Sequence, residues 1–219
     1  MICENPINPY LMSAFPNCVA RDKITIHMKV YLDNAATTKV STQVVEAMEP
    51  YFTEKYGNPN SLHQWGREAR IAVDKAREKA ANFLNADKAQ EVIFTSCATE
   101  ANNLALKGTV AYANQKDARF KDTEKKPHII VSPIEHHCVL DTAKFLEKTG
   151  QADVSWLSVN EHGLVNPEEI ANLIKEETVL VSVMYVNNEV GTIQPIKEIS
   201  NVIKKRNAEC GLPKAVFHT

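Results

Sequence analysis

Three stretches of the chain place hydroxyl, imidazole and amide groups where a strand pattern gives way to a helix or a turn. The first is Phe94-Thr95-Ser96-Cys97-Ala98-Thr99-Glu100-Ala101-Asn102-Asn103. Free backbone N–H groups at a helix start, with the Ser96 and Thr99 hydroxyls beside them, suit an anionic phosphate. The same residues suit a plain helix cap with a capping acid, and on this stretch alone both readings stand. Neither G-x-x-x-x-G-K-[ST] nor G-x-G-x-x-G occurs, so it is neither a P-loop nor a dinucleotide fingerprint.

The second stretch is Ser132-Pro133-Ile134-Glu135-His136-His137-Cys138. A histidine here has the chemistry to stack on an aromatic ligand and to exchange protons near neutral pH. A capping or packing role competes with that reading. Metal binding is disfavoured, because adjacent side chains of an extended segment point to opposite sides. The third stretch is Tyr185-Val186-Asn187-Asn188-Glu189-Val190-Gly191. Two amides and a carboxylate there offer hydrogen bonds to a bound ligand, or else form a polar turn that ends at the glycine.

These stretches sit in an alternating series. Short strands are expected over Val30 to Leu32, Glu91 to Thr95, His128 to Ser132, Asp153 to Ser158, Thr178 to Tyr185 and from Lys214 to Phe217. Helices are expected over Thr42 to Phe52, capped by Ser41 or Thr42, and along the amphipathic run from Ala69 to Leu84. Further helices are expected over Thr99 to Asn114, Val139 to Lys148, after Asn166-Pro167, and over Pro195 to Arg206. Such a βαβα order implies an α/β fold with a mostly parallel sheet covered by helices on both faces. Ligands of such folds bind beyond the carboxyl ends of the strands, which is where all three stretches lie.

Composition narrows the class. The chain has 219 residues, 44% hydrophobic, with 25 basic and 27 acidic side chains. That balance argues against a nucleic-acid or membrane-surface protein, whose footprint is basic. Five scattered cysteines without a C-x-x-C pair argue against a disulfide framework and a structural zinc site, and point to a reducing cytosol. No apolar run reaches the ~18 residues of a membrane span. Residues 1–28 lack a useful helical or strand period and read as a disordered extension, with Met28 the expected start. The domain proper then covers residues 29–219.

With Leu32-Asp33-Asn34-Ala35-Ala36-Thr37-Thr38 and Gly57-Asn58-Pro59-Asn60-Ser61-Leu62-His63, the three stretches resemble one family in order, spacing and wording. The chain resembles the cysteine desulfurases, pyridoxal-phosphate enzymes of the class V aminotransferase group, from about Lys29 to Thr219. The resemblance implies a fold type I large domain, a three-layer α/β sandwich, here truncated. It implies that Ala98 and Thr99 bind the phosphate of pyridoxal 5′-phosphate. It implies that His136 stacks on the pyridine ring and assists proton transfers, and that Asn188 hydrogen-bonds near the cofactor's 3′ oxygen and the substrate carboxylate. The Asp33 to Thr38 and His63 loops are expected to border the mouth of the site.

The implied reaction takes sulfur from L-cysteine, leaves L-alanine, and forms a persulfide on an enzyme cysteine. A sulfur-acceptor or scaffold protein, a homodimer, a cytoplasmic location, and iron–sulfur cluster or tRNA thiolation pathways follow by the same resemblance. A selenocysteine lyase of the same group and a non-catalytic interaction module are the alternatives. Two departures stand out. Cys97 occupies a position where the family usually has Gly, and its Cβ is expected to crowd the turn unless the backbone there is ordinary. The family's pyridinium-pairing Asp, Schiff-base Lys, persulfide Cys and carboxylate-binding Arg have no counterpart in these 219 residues. The chain alone is therefore expected neither to bind the cofactor tightly nor to desulfurate cysteine.

Overall fold

The computed structural model describes residues 29–121, 123–210 and 215–219, so the expected extension over residues 1–28 lies outside the described residues. Residues 29–39 belong to one compact unit and residues 40–219 to another. In the first, the Asp33 carbonyl accepts from Ala36 N–H at 3.2 Å and closes a turn. The strand expected over Val30 to Leu32 does not form, because a strand requires a ladder partner and no described residue supplies one.

The second unit opens with α1 (Thr42–Met48) and α2 (Pro50–Thr53) where a single helix is expected. Ser41 caps α1, its hydroxyl accepting from Val44 N–H at 3.3 Å. Pro50 has no N–H to continue the ladder, so the chain restarts there as α2. The long α3 (Gln64–Leu84) is capped by His63, whose Nδ1 accepts from Gly66 N–H at 3.3 Å. Its amphipathic pattern is only partly used: Ala69 and Ala81 are buried, whereas Phe83 is 89% exposed. The strand expected over Glu91 to Thr95 is instead a 3-10 turn, Ala89–Glu91, followed by irregular chain. Ile93 and Phe94 are exposed there, and Arg77 holds the segment by donating to the Val92 carbonyl and stacking on Phe94.

The remaining elements are α4 (Ala98–Lys116), β1 (His128–Val131), α5 (His137–Lys148), β2 (Asp153–Trp156), α6 (Pro167–Leu173), β3 (Thr178–Ser182), α7 (Ile196–Cys210) and β4 (Val216–His218). Asn166 and Pro167 start α6 as expected, with the Asn166 amide oxygen accepting from Glu168 N–H at 3.0 Å. Among the described residues the four strands are all parallel, in the order β2-β1-β3-β4. Side chains alternate across the sheet as pleating requires. Ile129 and Val131 face Leu106, Val110, Ala143 and Leu146 of α4 and α5. Ile130 and Val181 face Ile170, Ile199 and Ile203 of α6 and α7. Each face of the sheet thus carries its own apolar cluster, which gives the expected three layers. At the amino end of the sheet, His128 is buried and bridges three strands, its Nδ1 2.8 Å from Thr178 Oγ1 and its Nε2 2.8 Å from Ser155 Oγ. Among the described residues no helix is long and apolar enough to cross a membrane.

Candidate functional site

At the start of α4, Cys97 is the residue before the first helical turn, with φ −165° and ψ 170°. That is extended backbone open to any residue, so the Cβ in place of glycine causes no strain. Glu100 reaches back, its Oε2 accepting from Ser96 N–H and Ser96 Oγ, both at 2.7 Å. This is the capping arrangement anticipated for the stretch. It leaves the N–H groups of the first turn, the helix's orphan donors, gathered at the end of the helix. The sulfur of Cys97 reports their effect. Hydrogen bonding from the Glu100 N–H, then from the Ser96 hydroxyl and from Thr99, holds its thiol below the ordinary value. The donor set therefore stabilises negative charge at the start of α4, and its chemistry fits an anionic group such as the phosphate of pyridoxal 5′-phosphate.

At the start of α5, His136 is exposed and serves as the helix cap. Its Nδ1 accepts from Cys138 N–H at 3.1 Å and lies 3.0 Å from Cys138 Sγ. With Nδ1 used as an acceptor, the neutral ring carries its proton on Nε2. The capping role and a ligand-facing role therefore use different nitrogens of one ring.

Beyond β3, the two asparagines divide the work. Asn187 is half-buried and builds the loop: its Oδ1 accepts from Glu189 and Val190 N–H at 2.9 and 3.0 Å, and its Nδ2 donates to the Ile134 carbonyl at 2.9 Å. Asn188 is exposed, and its Nδ2 donates to Glu189 Oε1 at 3.1 Å. Gly191 closes the loop with φ 75°, a left-handed conformation that favours glycine. Thr192 and Gln194 tie the loop to residues 162–165. Thr192 Oγ1 donates to the His162 carbonyl, Gln194 Nε2 donates to the Gly163 carbonyl, and Gln194 Oε1 accepts from Val165 N–H.

These contacts join the loops that carry two expected site residues. Asn187 joins the loop of Asn188 to the loop of His136. Asn102, one turn into the helix that Ala98 and Thr99 begin, donates to Cys138 Sγ at 2.9 Å, beside His136. Behind this edge runs a polar chain that the sequence reading did not single out. Asn102 Oδ1 lies 3.1 Å from His218 Nε2, His218 Nδ1 lies 2.9 Å from Ser182 Oγ, and Ser182 Oγ lies 3.3 Å from Glu135 Oε1. Glu135 is buried, and burial pushes its carboxyl up to about 7 despite hydrogen bonds from the Met184 N–H and the Ser182 hydroxyl. Burial lowers His218 from its ordinary value. The one local sign of this chain is a serine ending the otherwise apolar Val179-Leu180-Val181 run. Among the described residues no three His, Cys, Asp or Glu side chains are arranged to hold a metal.

The family model of the class-V aminotransferases matches residues 30–210. The chain belongs to the aminotransferase class-V family. Within that family it is 46% identical over 206 residues to cysteine desulfurase IscS of Methanosarcina thermophila, covering 94% of this chain and 46% of the relative. It is 49% identical over 182 residues to cysteine desulfurase IscS of Clostridium botulinum, covering 83% of this chain and 43% of the relative. A solved structure named NifS-like protein superposes with TM-score 0.76 at 44% identity, covering 87% of this chain and 48% of that one. A structure described as SspA in complex with cysteine gives TM-score 0.71 at 38% identity, covering 84% of this chain and 48% of that one. The chain spans somewhat under half the length of the curated relatives it matches. These class-V likenesses agree with the fold type I architecture expected from the motifs.

Proposed function

We propose that the chain is the N-terminal part of a pyridoxal-phosphate-dependent cysteine desulfurase that takes sulfur from L-cysteine, leaves L-alanine and passes the sulfur to an acceptor or scaffold protein. The observation that carries this reading is that Asn102 of α4 meets Cys138 at the start of α5, while Asn187, after β3, meets the Ile134 carbonyl before α5. The cysteine held by one structural relative supports that substrate. When bound, pyridoxal phosphate supplies an electron sink for the substrate's carbanion.

The chain's own residues have separate tasks. The N–H groups of Ala98 and Thr99, with the Thr99 hydroxyl, hold the phosphate, aided by the positive end of α4. Glu100 stays turned back on Ser96 and caps the turn rather than repelling the anion. His136 would stack on the pyridine ring of the bound cofactor and would hold or move a proton at Nε2, because Nδ1 is committed to the Cys138 N–H. Asn188 offers its amide to the cofactor's 3′ oxygen and the substrate carboxylate.

The contribution of the 219 residues alone is small. A helix terminus gives about 1–2 kcal/mol for an anion and each of a few hydrogen bonds about 1. Such a total corresponds to a Kd on the order of millimolar. By itself the chain holds the cofactor weakly and releases no sulfide. A homodimer in the cytoplasm, feeding iron–sulfur cluster assembly or tRNA thiolation, belongs to the same proposal. Exposed Leu62, Phe83 and Phe94 support it as apolar surface suited to coverage by more protein.

Equilibrium dialysis against pyridoxal phosphate tests the site. Weak binding is expected, lowered about fivefold or more in T99A and in H136A, and binding unchanged by both variants overturns it. Co-expression with the remaining half of a cysteine desulfurase relative tests the activity. Sulfide release from L-cysteine is expected, and its absence from a complex that holds pyridoxal phosphate overturns the desulfurase reading.

A further inference from the structure

We infer that Glu135, Ser182 and His218 form a buried proton-sharing unit, clamped by Asn102, that positions Cys138 and His136 from behind the candidate site. The inference deepens the proposed reading of that site, and its role for His136 rests on it. The proton-sharing geometry stands without it.

Hydrogen-bond direction is set at the His136 end. The Nδ1 of His136 accepts from the Cys138 N–H at 3.1 Å, and Cys138 Sγ lies 3.0 Å from the same nitrogen. The sulfur then has lone pairs to accept from Asn102 Nδ2, 2.9 Å away. That choice turns Asn102 Oδ1 toward His218 Nε2 at 3.1 Å, so Nε2 must carry a proton. Only Nδ1 of His218 is left to vary, and it faces Ser182 Oγ at 2.9 Å.

Two arrangements satisfy every partner without moving a heavy atom. In one, the Glu135 carboxyl donates to Ser182 Oγ, and the Ser182 hydroxyl donates to a bare Nδ1 on neutral His218. In the other, the proton has left the Glu135 oxygen, Ser182 has relayed one to Nδ1, and its hydroxyl now donates to the carboxylate. Glu135 has become an anion and His218 a cation, with one proton conserved between them. The titratable groups around the unit are Cys138 and His136 from α5. The helix α4 contributes the uncharged Asn102, and β3 contributes Ser182. Among the described residues no Lys, Arg or Asp is a hydrogen-bond partner of the unit. Burial opposes a lone charge on either member and so favours the first arrangement, and the hydrogen-bonded relay lets the second form only as a mutually neutralised pair. Asn102 and His218 are thus positioning residues: they fix the sulfur that braces the His136 ring.

The test is nitrogen NMR of the full 219-residue chain labelled at histidine, from pH 5.5 to 8.5, with His218 assigned by loss of its signals in H218Q. In the unsubstituted chain, Nδ1 of His218 is expected to move toward lone-pair character as pH rises through about 7, while Nε2 keeps its proton. In E135Q, and separately in S182A, which retains the carboxyl but not the relay, Nδ1 is expected to keep lone-pair character throughout. The same Nδ1 titration in all three chains, or none in the unsubstituted chain, overturns the inference. Coupled titration in a chain that does not bind pyridoxal phosphate upholds the inference and overturns the cofactor reading. Binding without coupling does the reverse.

Discussion

Replacing Glu135 with Gln is expected to make the protein more stable than the unsubstituted chain as pH rises, by an amount the structure sets. Burial pushes the Glu135 carboxyl up from 4.5 to about 7. The folded state therefore keeps a proton between pH 4.5 and 7 that the unfolded state has released. Stability from this group is fully present below 4.5 and is lost as pH rises to about 7. At 1.36 kcal/mol per pH unit, a separation of about 2.5 units is worth about 3 kcal/mol. His128 works in the opposite direction. Burial first, and then Lys175, push its imidazole down from 6.5 to about 4. Stability from His128 is fully present above 6.5 and is lost as pH falls to about 4. Between pH 4.5 and 6.5 the folded state holds the proton on Glu135 and the unfolded state holds it on His128. Their slopes cancel, so neither is visible in the unsubstituted protein. Urea unfolding at pH 4.5, 5.5, 6.5 and 7.5, with matched E135Q samples, removes every other titration by difference. The advantage of E135Q should grow by about 3 kcal/mol between pH 4.5 and 7. A difference independent of pH would show that Glu135 is not held protonated and would refute the burial argument.

Other outcomes follow from single contacts. Cys97 is exposed and its thiol is held low by the Glu100 N–H, so peptide mapping should find it alkylated by iodoacetamide several-fold faster than Cys138 at pH 7. Asn187→Ala strands the Ile134 carbonyl and two loop N–H groups and should cost about 2–3 kcal/mol by urea unfolding. Asn188→Ala should cost under about 0.5 kcal/mol, as exposed positions do, yet weaken pyridoxal phosphate binding in dialysis. Leu106→Ala, at a side chain with no exposure between α4 and the sheet, should cost about 2–5 kcal/mol by the same unfolding measurement.

Much of the sheet was legible because its strands carry the signal themselves. Thr178 to Ser182 is buried throughout around the apolar Val179-Leu180-Val181, and Asn166-Pro167 marks a helix start by chemistry that needs no distant partner. Val30 to Leu32 and Glu91 to Thr95 look equally strand-like, but a strand is completed by its neighbour, and local pattern does not contain the neighbour. The site was legible as loops rather than as contacts. The second and third stretches supplied His136 and Asn188, yet Asn187, which holds those two loops together, read only as one of a pair of amides. His218 meets Asn102 across 116 positions and Ser182 across 36, separations at which residue type gives no hint of pairing.

The parallel order β2-β1-β3-β4 has a thermodynamic consequence for any ligand the site takes. Thr99, His136 and Asn188 belong to different connections, before α4, between β1 and α5, and after β3. No single strand–helix–strand unit holds all three, so a partly folded chain has no binding site to offer. Ligand then recognises only the fully folded sheet, and its free energy adds to global rather than local stability, as RT ln(1 + [L]/Kd). At ten times its Kd a ligand adds about 1.4 kcal/mol to unfolding everywhere in residues 40–219, and hydrogen exchange in β1 and β3 should slow together by about tenfold.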